Sequence, residues 1–195
     1  MGKIFYVMGK SATGKDTVYN RLLEDPTLPL KTVVLYTTRP IRVGETDGVT
    51  YHFRDIPWFK EQEKTGKVIE SRVYPTMLGP WYYFTMDDGQ IDLTKNSYLM
   101  IGTPEGCVKM RAYFGEEPIV PIYLSIDDGE RLRRAWAREC NQKKPRFDEV
   151  CRRYLADEED FAPDKLLEAG ITRTFCNDDV DTCCEQVKAM IRERL

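Results

Sequence analysis

A glycine-rich turn with an embedded lysine is the stretch of this chain best suited to chemistry. Residues 9–17 read GKSATGKDT and follow the apolar run at 4–8. Gly9 and Gly14 are five positions apart and Lys15 comes next, which is the spacing of a Walker A phosphate loop. Glycines let backbone N–H groups point at a phosphate, and the following helix adds the positive end of its dipole. The ammonium group of Lys15 would then reach the β- and γ-phosphates of a bound nucleotide.

The hydroxyl position of this motif is unusual. Asp16 stands where a serine or threonine is common, and Thr17 follows it. Either residue is a candidate to hold Mg²⁺, which prefers oxygen ligands; the alternative is that Asp16 only caps the helix. A chance glycine turn is the alternative to a phosphate loop, but Val18 and Leu22 follow at helical spacing. The residues predicted to contact ATP are Gly9, Lys10, Ser11, Ala12, Thr13, Gly14, Lys15, Asp16 and Thr17.

Two arginines and a tyrosine form a second candidate anion site. Arg39 and Arg42 are three positions apart in the turn-rich segment 37–53, and Tyr51 lies on a short strand of the same segment. Two guanidinium groups and a phenol suit a second phosphate, distinct from those in the loop. An isolated pair of this kind would favour the alternative, two solvated surface arginines.

Glu70 is a carboxylate inside an apolar strand, Val-Ile-Glu at 68–70. Its burial is costly unless a donor binds it. A purine edge with adjacent N–H groups, as in guanine, is one such donor. An ion pair with Arg72 or Lys67 explains this residue equally well.

A basic cluster occupies residues 131–153, with nine lysines and arginines against three acidic residues. Arg131, Arg134 and Arg138 have the spacing of one helix face, and Arg153 follows on the next predicted helix. In phosphoryl transfer, arginines neutralise charge on the transferring group. We therefore favour a catalytic lid over a solvated basic face.

The composition favours a folded cytoplasmic protein. The chain has 195 residues, is 42% hydrophobic and 31% charged, and carries a net charge of −3, which argues against a general binder of nucleic acid or membranes. Six cysteines show no metal-binding spacing, and we expect reduced, mostly buried thiols. His52 is the only histidine, which argues against a histidine-based triad. No signal peptide or membrane-spanning run is predicted.

The order of elements predicts an α/β protein. Strands alternate with helices at the beginning, middle and end of the chain, which favours a parallel three-layer sheet. A β-rich, aromatic segment and a pair of basic helices interrupt this pattern. The predicted strands of the core are 3–8, 32–37, 98–102, 119–126 and 173–176, its helices are 15–24, 104–114 and 180–194, the basic helices are 129–140 and 147–160, and the β-rich segment is 35–86 with a helix at 55–65.

These motifs together resemble the guanylate kinase family over nearly the full length of the chain. The segment TTRPIRVGETDGVTYHF at 37–53 is similar to the family's TTR-x-PR-x-GE-x-DG-x-x-Y-x-F, with Pro40 and Ile41 exchanged. The resemblance implies a P-loop NTPase fold and transfer of the ATP γ-phosphate to GMP with Mg²⁺. It also implies that Arg39, Arg42, Tyr51, Glu70, Tyr83, Thr85 and Thr103 bind GMP, that Lys15, Arg42, Arg134, Arg138 and Arg153 act in catalysis, and that Asn177 lies near the ATP ribose and base.

The departures from the family pattern concern the base. Leu35 replaces a serine before the TTR motif, and Thr103 replaces an aspartate that contacts guanine. The stretch between Glu70 and Tyr83 is a few residues longer. These changes leave open a kinase for another monophosphate, such as dGMP, IMP or AMP. A non-catalytic module that binds phosphorylated peptides is a third hypothesis, although such modules generally lack a working phosphate loop.

The resemblance and the element pattern predict a single domain in three parts. We expect an α/β core at 1–34, 87–126 and 161–195, an inserted β-rich monophosphate-binding lobe at 35–86, and a helical lid at 127–160. The expected partners are GMP and ATP, with neither nucleic acid nor a membrane. A monomer or homodimer is expected.

Overall fold

The fold consists of two sheets with helices packed against them. The computed structural model describes residues 1–76 and 79–195. In chain order the elements are β1 (Ile4–Met8), α1 (Lys15–Leu23), β2 (Leu30–Thr32), β3 (Tyr36–Thr37), β4 (His52–Phe53), α2 (Ile56–Lys64), β5 (Val68–Thr76), β6 (Gly79–Met86), β7 (Ser97–Gly102), α3 (Pro104–Phe114), β8 (Ile119–Ser125), α4 (Asp128–Cys140), α5 (Phe147–Asp160), α6 (Pro163–Glu168), β9 (Thr174–Cys176) and α7 (Val180–Arg194).

The larger sheet is parallel and has β1 at its centre. Its strand order is β2-β7-β1-β8-β9, and each adjacent pair runs parallel. Parallel neighbours need crossover connections, and the helices between the strands provide them. The predicted α/β class with a parallel sheet is confirmed.

Both faces of the larger sheet are buried, which makes the core three layers thick. All five residues of β1 are buried. Phe5 and Val7 pack on one side with residues of α1 and α7, including Val18 and Val187. Ile4, Tyr6 and Met8 pack on the other side with Cys107 and Met110 of α3. Because both faces of β1 are buried, every position of the strand is apolar, and its sequence is a continuous apolar run.

The smaller sheet has the order β4-β3-β6-β5, and its β5–β6 hairpin is antiparallel. The prediction of one strand at 32–37 was wrong. Residues 30–32 pair with β7 in the larger sheet, whereas 36–37 pair with β4 and β6 in the smaller one. Between them, the backbone N–H of Val34 donates to the side chain of Gln90. The chain therefore changes sheets inside an apolar run that shows no break in sequence.

The two faces of the smaller sheet differ in chemistry. On one face, Tyr36 and Phe84 pack with Phe59 of α2 in an aromatic cluster. On the other, Glu70 and Arg72 of β5 lie opposite Thr85 and Tyr83 of β6. We call this polar side of the β5–β6 hairpin the lobe face. Because side chains alternate along a strand, one hairpin presents both a core and a polar surface.

The helix ends, the cysteines and the absence of a predicted membrane span can also be compared with the structure. Asp127 caps α4 as expected, by accepting from the N–H of Glu130. The short helix α6 was not predicted.

All six cysteines are free, but only three of them are buried, so the expectation of mostly buried thiols was wrong. Cys107, Cys183 and Cys184 are buried, and Cys140, Cys151 and Cys176 are exposed. Within 1–76 and 79–195, no helix is long and apolar enough to cross a membrane.

Candidate active site

The phosphate loop turns sharply between β1 and α1. Gly14 has a φ of 84° and Ala12 a φ of 66°, both in the left-handed region. The hydroxyl of buried Thr13 donates to the carbonyl of Lys10 at 2.8 Å. The side-chain amide of Asn177 donates to the carbonyl of Thr13 at 2.6 Å. A Cβ at position 14 would lie 2.4 Å from that same amide nitrogen, so both the turn and this contact require glycine.

Lys15 and Asp16 stand at the start of α1. Nζ of Lys15 lies 3.8 Å from Oδ1 of Asp16, whose side chain is 73% exposed. Thr17 is also exposed. In the described part of the chain, no group of three or more His, Cys, Asp or Glu residues is arranged to hold a metal ion. The exposed carboxylate of Asp16 is nevertheless a hard oxygen donor of the kind Mg²⁺ prefers, so its chemistry fits that ion.

Arg134 reaches the phosphate loop from α4. Its two Nη atoms each lie 3.4 Å from the carbonyl oxygen of Asn177, and its Nε donates to Glu130 at 2.8 Å. A Cβ at Gly14 would lie 3.9 Å from Arg134 Nη1. The guanidinium group is therefore held beside the loop.

The other two predicted lid arginines, Arg138 and Arg153, line a cavity of about 260 Å³ between α4 and α5. Ser11 of the phosphate loop lines the same cavity. Arg153 pairs with Glu149 at 2.8 Å and remains 54% exposed. The structure thus brings these two arginines to a space that borders the loop.

Arg131 lines the same cavity as Arg138 and Arg153, but its side chain is buried. It is 1% exposed. Its guanidinium donates to Asp128 at 3.0 Å, to Asp157 at 3.0 Å and to Glu158 at 2.6 Å, and lies 4.0 Å from the ring centre of Tyr154. Acidic residues of α4 and α5 therefore surround Arg131, whereas Arg134 is directed toward Asn177.

The same acidic pair of α5 also binds the phosphate loop. Asp157 accepts from the backbone N–H of Ser11 at 2.8 Å, and Glu158 accepts from Nζ of Lys10 at 2.7 Å. Lys10 and Ser11 were predicted to contact ATP, and here both of them contact α5. We call the group formed by Lys10, Ser11, Arg131, Asp157 and Glu158 the lid anchor. Sequence reasoning missed it because nothing in the spacing shows which acidic residues face the loop.

Arg39 is buried among aromatic rings and carries one carboxylate partner. Its Nη1 donates to Glu45 Oε2 at 2.7 Å and its Nη2 to Glu45 Oε1 at 2.5 Å. The guanidinium carbon lies 5.1 Å from the ring centre of Tyr51 and 5.3 Å from that of Phe53. Hydrogen bonding to Arg39 lowers the pKa of Glu45 to about 2. Arg42 has an exposed side chain, and its backbone N–H also donates to Glu45 at 2.8 Å.

The lobe face joins this group through Tyr83, whose ring centre is 5.8 Å from that of Tyr51. Glu70 is buried, and its Oε1 accepts from the hydroxyl of Thr85 at 2.8 Å. Its Oε2 lies 3.6 Å from Arg72 Nε, and neither of these buried atoms has a hydrogen-bond partner among residues 1–76 and 79–195. The ion pair with Arg72 that the sequence left open therefore exists, but it leaves one carboxylate oxygen free for a ligand.

The N-terminus of α3 borders the lobe face. Thr103 caps α3, because its hydroxyl oxygen accepts from the N–H of Gly106 at 3.3 Å. A Cβ at Gly106 would lie 3.3 Å from Glu70 Oε2 and 2.5 Å from the hydroxyl of Tyr6. Burial, together with the charge of Glu70, raises the pKa of Tyr6. Sequence reasoning treated Tyr6 only as part of an apolar strand, and no signal in the pattern shows that its hydroxyl reaches this site.

Comparison with known proteins finds similarity to guanylate kinases. A family model described as guanylate kinase matches residues 1–80, which hold the phosphate loop, Arg39 and Glu70. A guanylate kinase from Zymomonas mobilis is 28% identical over 97% of this chain and 83% of its own length. The chain is thus similar to guanylate kinases, through the family model over residues 1–80 and through this relative over nearly its full length.

Further proteins show the same similarity. Guanylate kinases from Aliivibrio fischeri and Streptococcus pyogenes are both 38% identical, over 45% and 42% of this chain and 45% and 37% of their own lengths. The crystal structure of guanylate kinase from Anaplasma phagocytophilum matches with a TM-score of 0.68 at 21% identity, and covers 98% of this chain and 86% of that one. This likeness supports the same fold over nearly the whole chain.

The structure shows where the residues that depart from the guanylate kinase pattern lie. Leu35 is partly buried against the apolar cluster that contains Val33 and Met100, so it adds no polar group to the site. Thr103 uses its hydroxyl as the cap of α3. Glu70 is the carboxylate among the buried polar side chains of the described residues.

Proposed function

We propose that the protein transfers the γ-phosphate of ATP to GMP, giving ADP and GDP. The observation that carries this proposal is the intact phosphate loop in a chain that is similar to guanylate kinases. Gly14 adopts the left-handed turn, Lys15 begins α1, and Arg134 stands beside the loop. A non-catalytic module of similar fold would have no need of this arrangement.

The reaction needs no protein nucleophile. A phosphate oxygen of GMP attacks the γ-phosphorus of ATP, a new P–O bond forms, and the bond to the bridging oxygen breaks, so that ADP leaves with the electron pair. Catalysis consists of positioning and charge neutralisation. Lys15 and Arg134 supply positive charge at the loop, and we propose that Arg138 and Arg153 add to it from the neighbouring cavity. Mg²⁺, held with the help of Asp16 or Thr17, would neutralise further phosphate charge.

GMP is proposed to bind between the group around Arg39 and the lobe face. Arg39, Arg42, Tyr51 and Tyr83 would hold its phosphate, which would compete with Glu45 for the guanidinium of Arg39. The base would bind with Glu70 and Thr85, next to the cap residue Thr103 at the N-terminus of α3. Asn177 contacts the loop itself, so we propose that it positions the loop as well as lying near ATP.

The division into parts also belongs to this proposal. We propose a core at 1–34, 87–126 and 161–195, a monophosphate-binding lobe at 35–86 and a lid at 127–160. Two observations support it: the smaller sheet draws all its strands from β3 to β6, and the paired α4 and α5 lie within 127–160. A cytoplasmic location and a monomeric or homodimeric state remain predictions from the sequence.

The test is the release of ADP from ATP with Mg²⁺ in the presence and absence of GMP. GMP-dependent ADP release is expected, with GDP as the second product. ADP release that does not depend on any nucleoside monophosphate would reject the proposal. Higher kcat/KM with AMP than with GMP would keep the reaction class and reject the base assignment.

A further inference from the structure

Within the described part of the chain, two buried polar atoms on the lobe face lack a hydrogen-bond partner. They are Glu70 Oε2, an acceptor, and Arg72 Nε, whose N–H is a donor. The atoms are 3.6 Å apart, too far for a hydrogen bond between them. Buried polar groups in folded proteins are nearly always bonded, and leaving one unpaired is costly. A free donor next to a free acceptor therefore indicates a ligand that offers the complementary pair.

Arg72 lies inside the proposed GMP site. It follows Glu70 on the same face of β5 and lies opposite Tyr83 of β6. Burial raises the pKa of Tyr51, and the charge of Arg72 is among the nearby charges that act on it. Arg72 thus stands between the residues proposed for the phosphate and the carboxylate proposed for the base.

Arg72 keeps its charge in this buried position. Burial opposes a charged guanidinium, but the carboxylate of Glu70 and the surrounding tyrosines more than offset it, and the pKa of Arg72 is raised. Its Nε–H is therefore a permanent hydrogen-bond donor. Glu70 and Arg72 also compensate each other's charge. The pair therefore favours a neutral base that forms hydrogen bonds over a charged base.

We propose that Glu70 and Arg72 together recognise the lactam edge of a 6-oxopurine, with Oε2 accepting from N1–H and Arg72 Nε donating to O6. This inference rests on the proposed function and makes Arg72 a specificity-determining residue beside Glu70. In a lactam, the N–H and the C=O are neighbours on one ring edge. A donor and an acceptor placed side by side on the protein match that edge.

The pair discriminates between bases by the direction of their hydrogen bonds. Adenine presents an acceptor at N1 and an amino donor at C6, so each of its groups would face a group of the same kind. Hypoxanthine has the same lactam edge as guanine and lacks only the 2-amino group. Leu35 is apolar, Thr103 caps α3, and Oε1 of Glu70 already accepts from Thr85. The substrate class is therefore 6-oxopurine monophosphates, both GMP and IMP.

The test compares kcat/KM for GMP, IMP and AMP at saturating ATP in the wild type and three variants. Arg72→Met removes the donor at similar volume, and Arg72→Lys keeps the charge without an Nε–H. Arg54→Met is the control, because Arg54 lies near the rings of Tyr36 and Trp58 on the aromatic side of the same sheet. Urea unfolding of each variant shows whether it is folded.

In the wild type we expect IMP within about tenfold of GMP, and AMP about a hundredfold or more below both. Arg72→Met should lower kcat/KM for GMP and IMP by about tenfold or more without lowering it for AMP, and the KM for ATP should stay the same. Arg72→Lys should lose a smaller part of the selectivity, and Arg54→Met none.

Other results overturn the inference. An unchanged GMP-to-AMP ratio in Arg72→Met would make Arg72 only a counter-ion of Glu70, as would an equal loss for all three substrates. IMP more than a hundredfold below GMP in the wild type would show that the lactam edge is not what is recognised. If Arg72→Met does not fold, an unchanged ratio in Arg72→Lys has the same meaning. Absence of GMP turnover in the wild type rejects the proposed function instead.

Discussion

Ala12 is a non-glycine residue in a left-handed conformation inside the phosphate loop, with a φ of 66°. A side chain costs about 1 kcal/mol or more in this region, whereas glycine adopts it freely. Replacing alanine by glycine usually destabilises a protein, because the unfolded chain gains freedom. At position 12 the relief of strain should offset that cost. The loop thus stores strain at a place where phosphate would bind.

We therefore expect Ala12→Gly to leave the free energy of unfolding within about 0.5 kcal/mol of the wild type, or to raise it. The matched control is Ala137→Gly, at an exposed position within α4, which should cost about 1 kcal/mol. Urea unfolding of the two variants provides the comparison. An equal loss at both positions would mean that Ala12 is not strained.

Lys15 is the residue on which the reaction should depend most directly. Lys15→Ala removes a charge from the transferring group, and we expect kcat to fall about 10²-fold or more, on the scale of other electrostatic stabilisers. Lys31→Ala, at an exposed position on β2, should leave kcat unchanged. Steady-state kinetics with ATP and GMP provide the test. Near-wild-type turnover of Lys15→Ala would contradict the proposal that ATP binds at the phosphate loop.

The sequence indicates which residues carry chemistry better than it indicates where they point. Lys15 and Glu70 stand out because motif spacing or a costly polar residue in an apolar strand singles them out. Arg131 and Arg134 look alike in the helical pattern, yet one is buried among carboxylates and the other contacts the loop at Asn177. That difference depends on tertiary neighbours, which spacing within one helix does not contain.

At the scale of elements, the lid anchor is the contact that joins α4, α5 and the phosphate loop. Arg131 contributes three ion pairs to it and is buried. The side chain of its partner Asp157 is 13% exposed, and removing one partner of a buried ion pair leaves the other charge uncompensated, which costs about 3 kcal/mol. Asp128 and Glu158 are 53% and 42% exposed, so their pairs contribute less. The lid anchor should therefore fix the positions of α4 and α5 relative to the phosphate loop.

Arg131→Met is expected to lower the free energy of unfolding by about 3 kcal/mol. Its control is Arg133→Met on the same helix, since Arg133 pairs with Glu130 at 2.6 Å but is 69% exposed. An exposed pair contributes less than about 1 kcal/mol, so the control should be nearly neutral. Similar effects of the two substitutions in urea unfolding would show that the anchor does not stabilise the lid.

Element boundaries were predictable where local signals mark them. Asp55 caps α2 and Asp127 caps α4, and both positions follow from the preference for aspartate before a helix. The division of 32–37 between two sheets had no such signal, because each half is apolar and β-branched. The pairing depends on the neighbouring strands: β7 pairs with residues 30–32, and β6 pairs with residues 36–37.

At the scale of the whole molecule, ion pairs between arginine and glutamate recur in the lobe and in both lid helices. Hydrogen bonding to Arg39 lowers the pKa of Glu45 from 4.5 to about 2. Arg133 and Arg134 lower the pKa of Glu130 to about 2, and Arg152 and Arg153 do the same for Glu149. These pairs lie in different parts of the chain but respond to the same range of pH.

A carboxylate whose pKa is lower in the folded state than in the unfolded chain stabilises the fold above its unfolded pKa, and that stabilisation is lost as pH falls through the folded value. For Glu45, Glu130 and Glu149 the window runs from pH 4.5 down to about 2. We therefore expect the free energy of unfolding to decrease steadily across this window. Asp92, whose pKa is also lowered to about 2 by its hydrogen bond with Lys95, acts in the same direction.

Glu45→Gln tests this prediction at one site, because glutamine cannot take up the proton. The dependence of the free energy of unfolding on pH between 4.5 and 2 should be shallower in Glu45→Gln than in the wild type. Glu61→Gln, at an exposed position on α2, should keep the wild-type slope. The measurement is urea unfolding at several pH values in that window for all three proteins. A wild-type slope in Glu45→Gln would mean that the pairing of Glu45 with Arg39 does not persist in solution, and Arg39 would then be free to meet a phosphate without displacing a carboxylate.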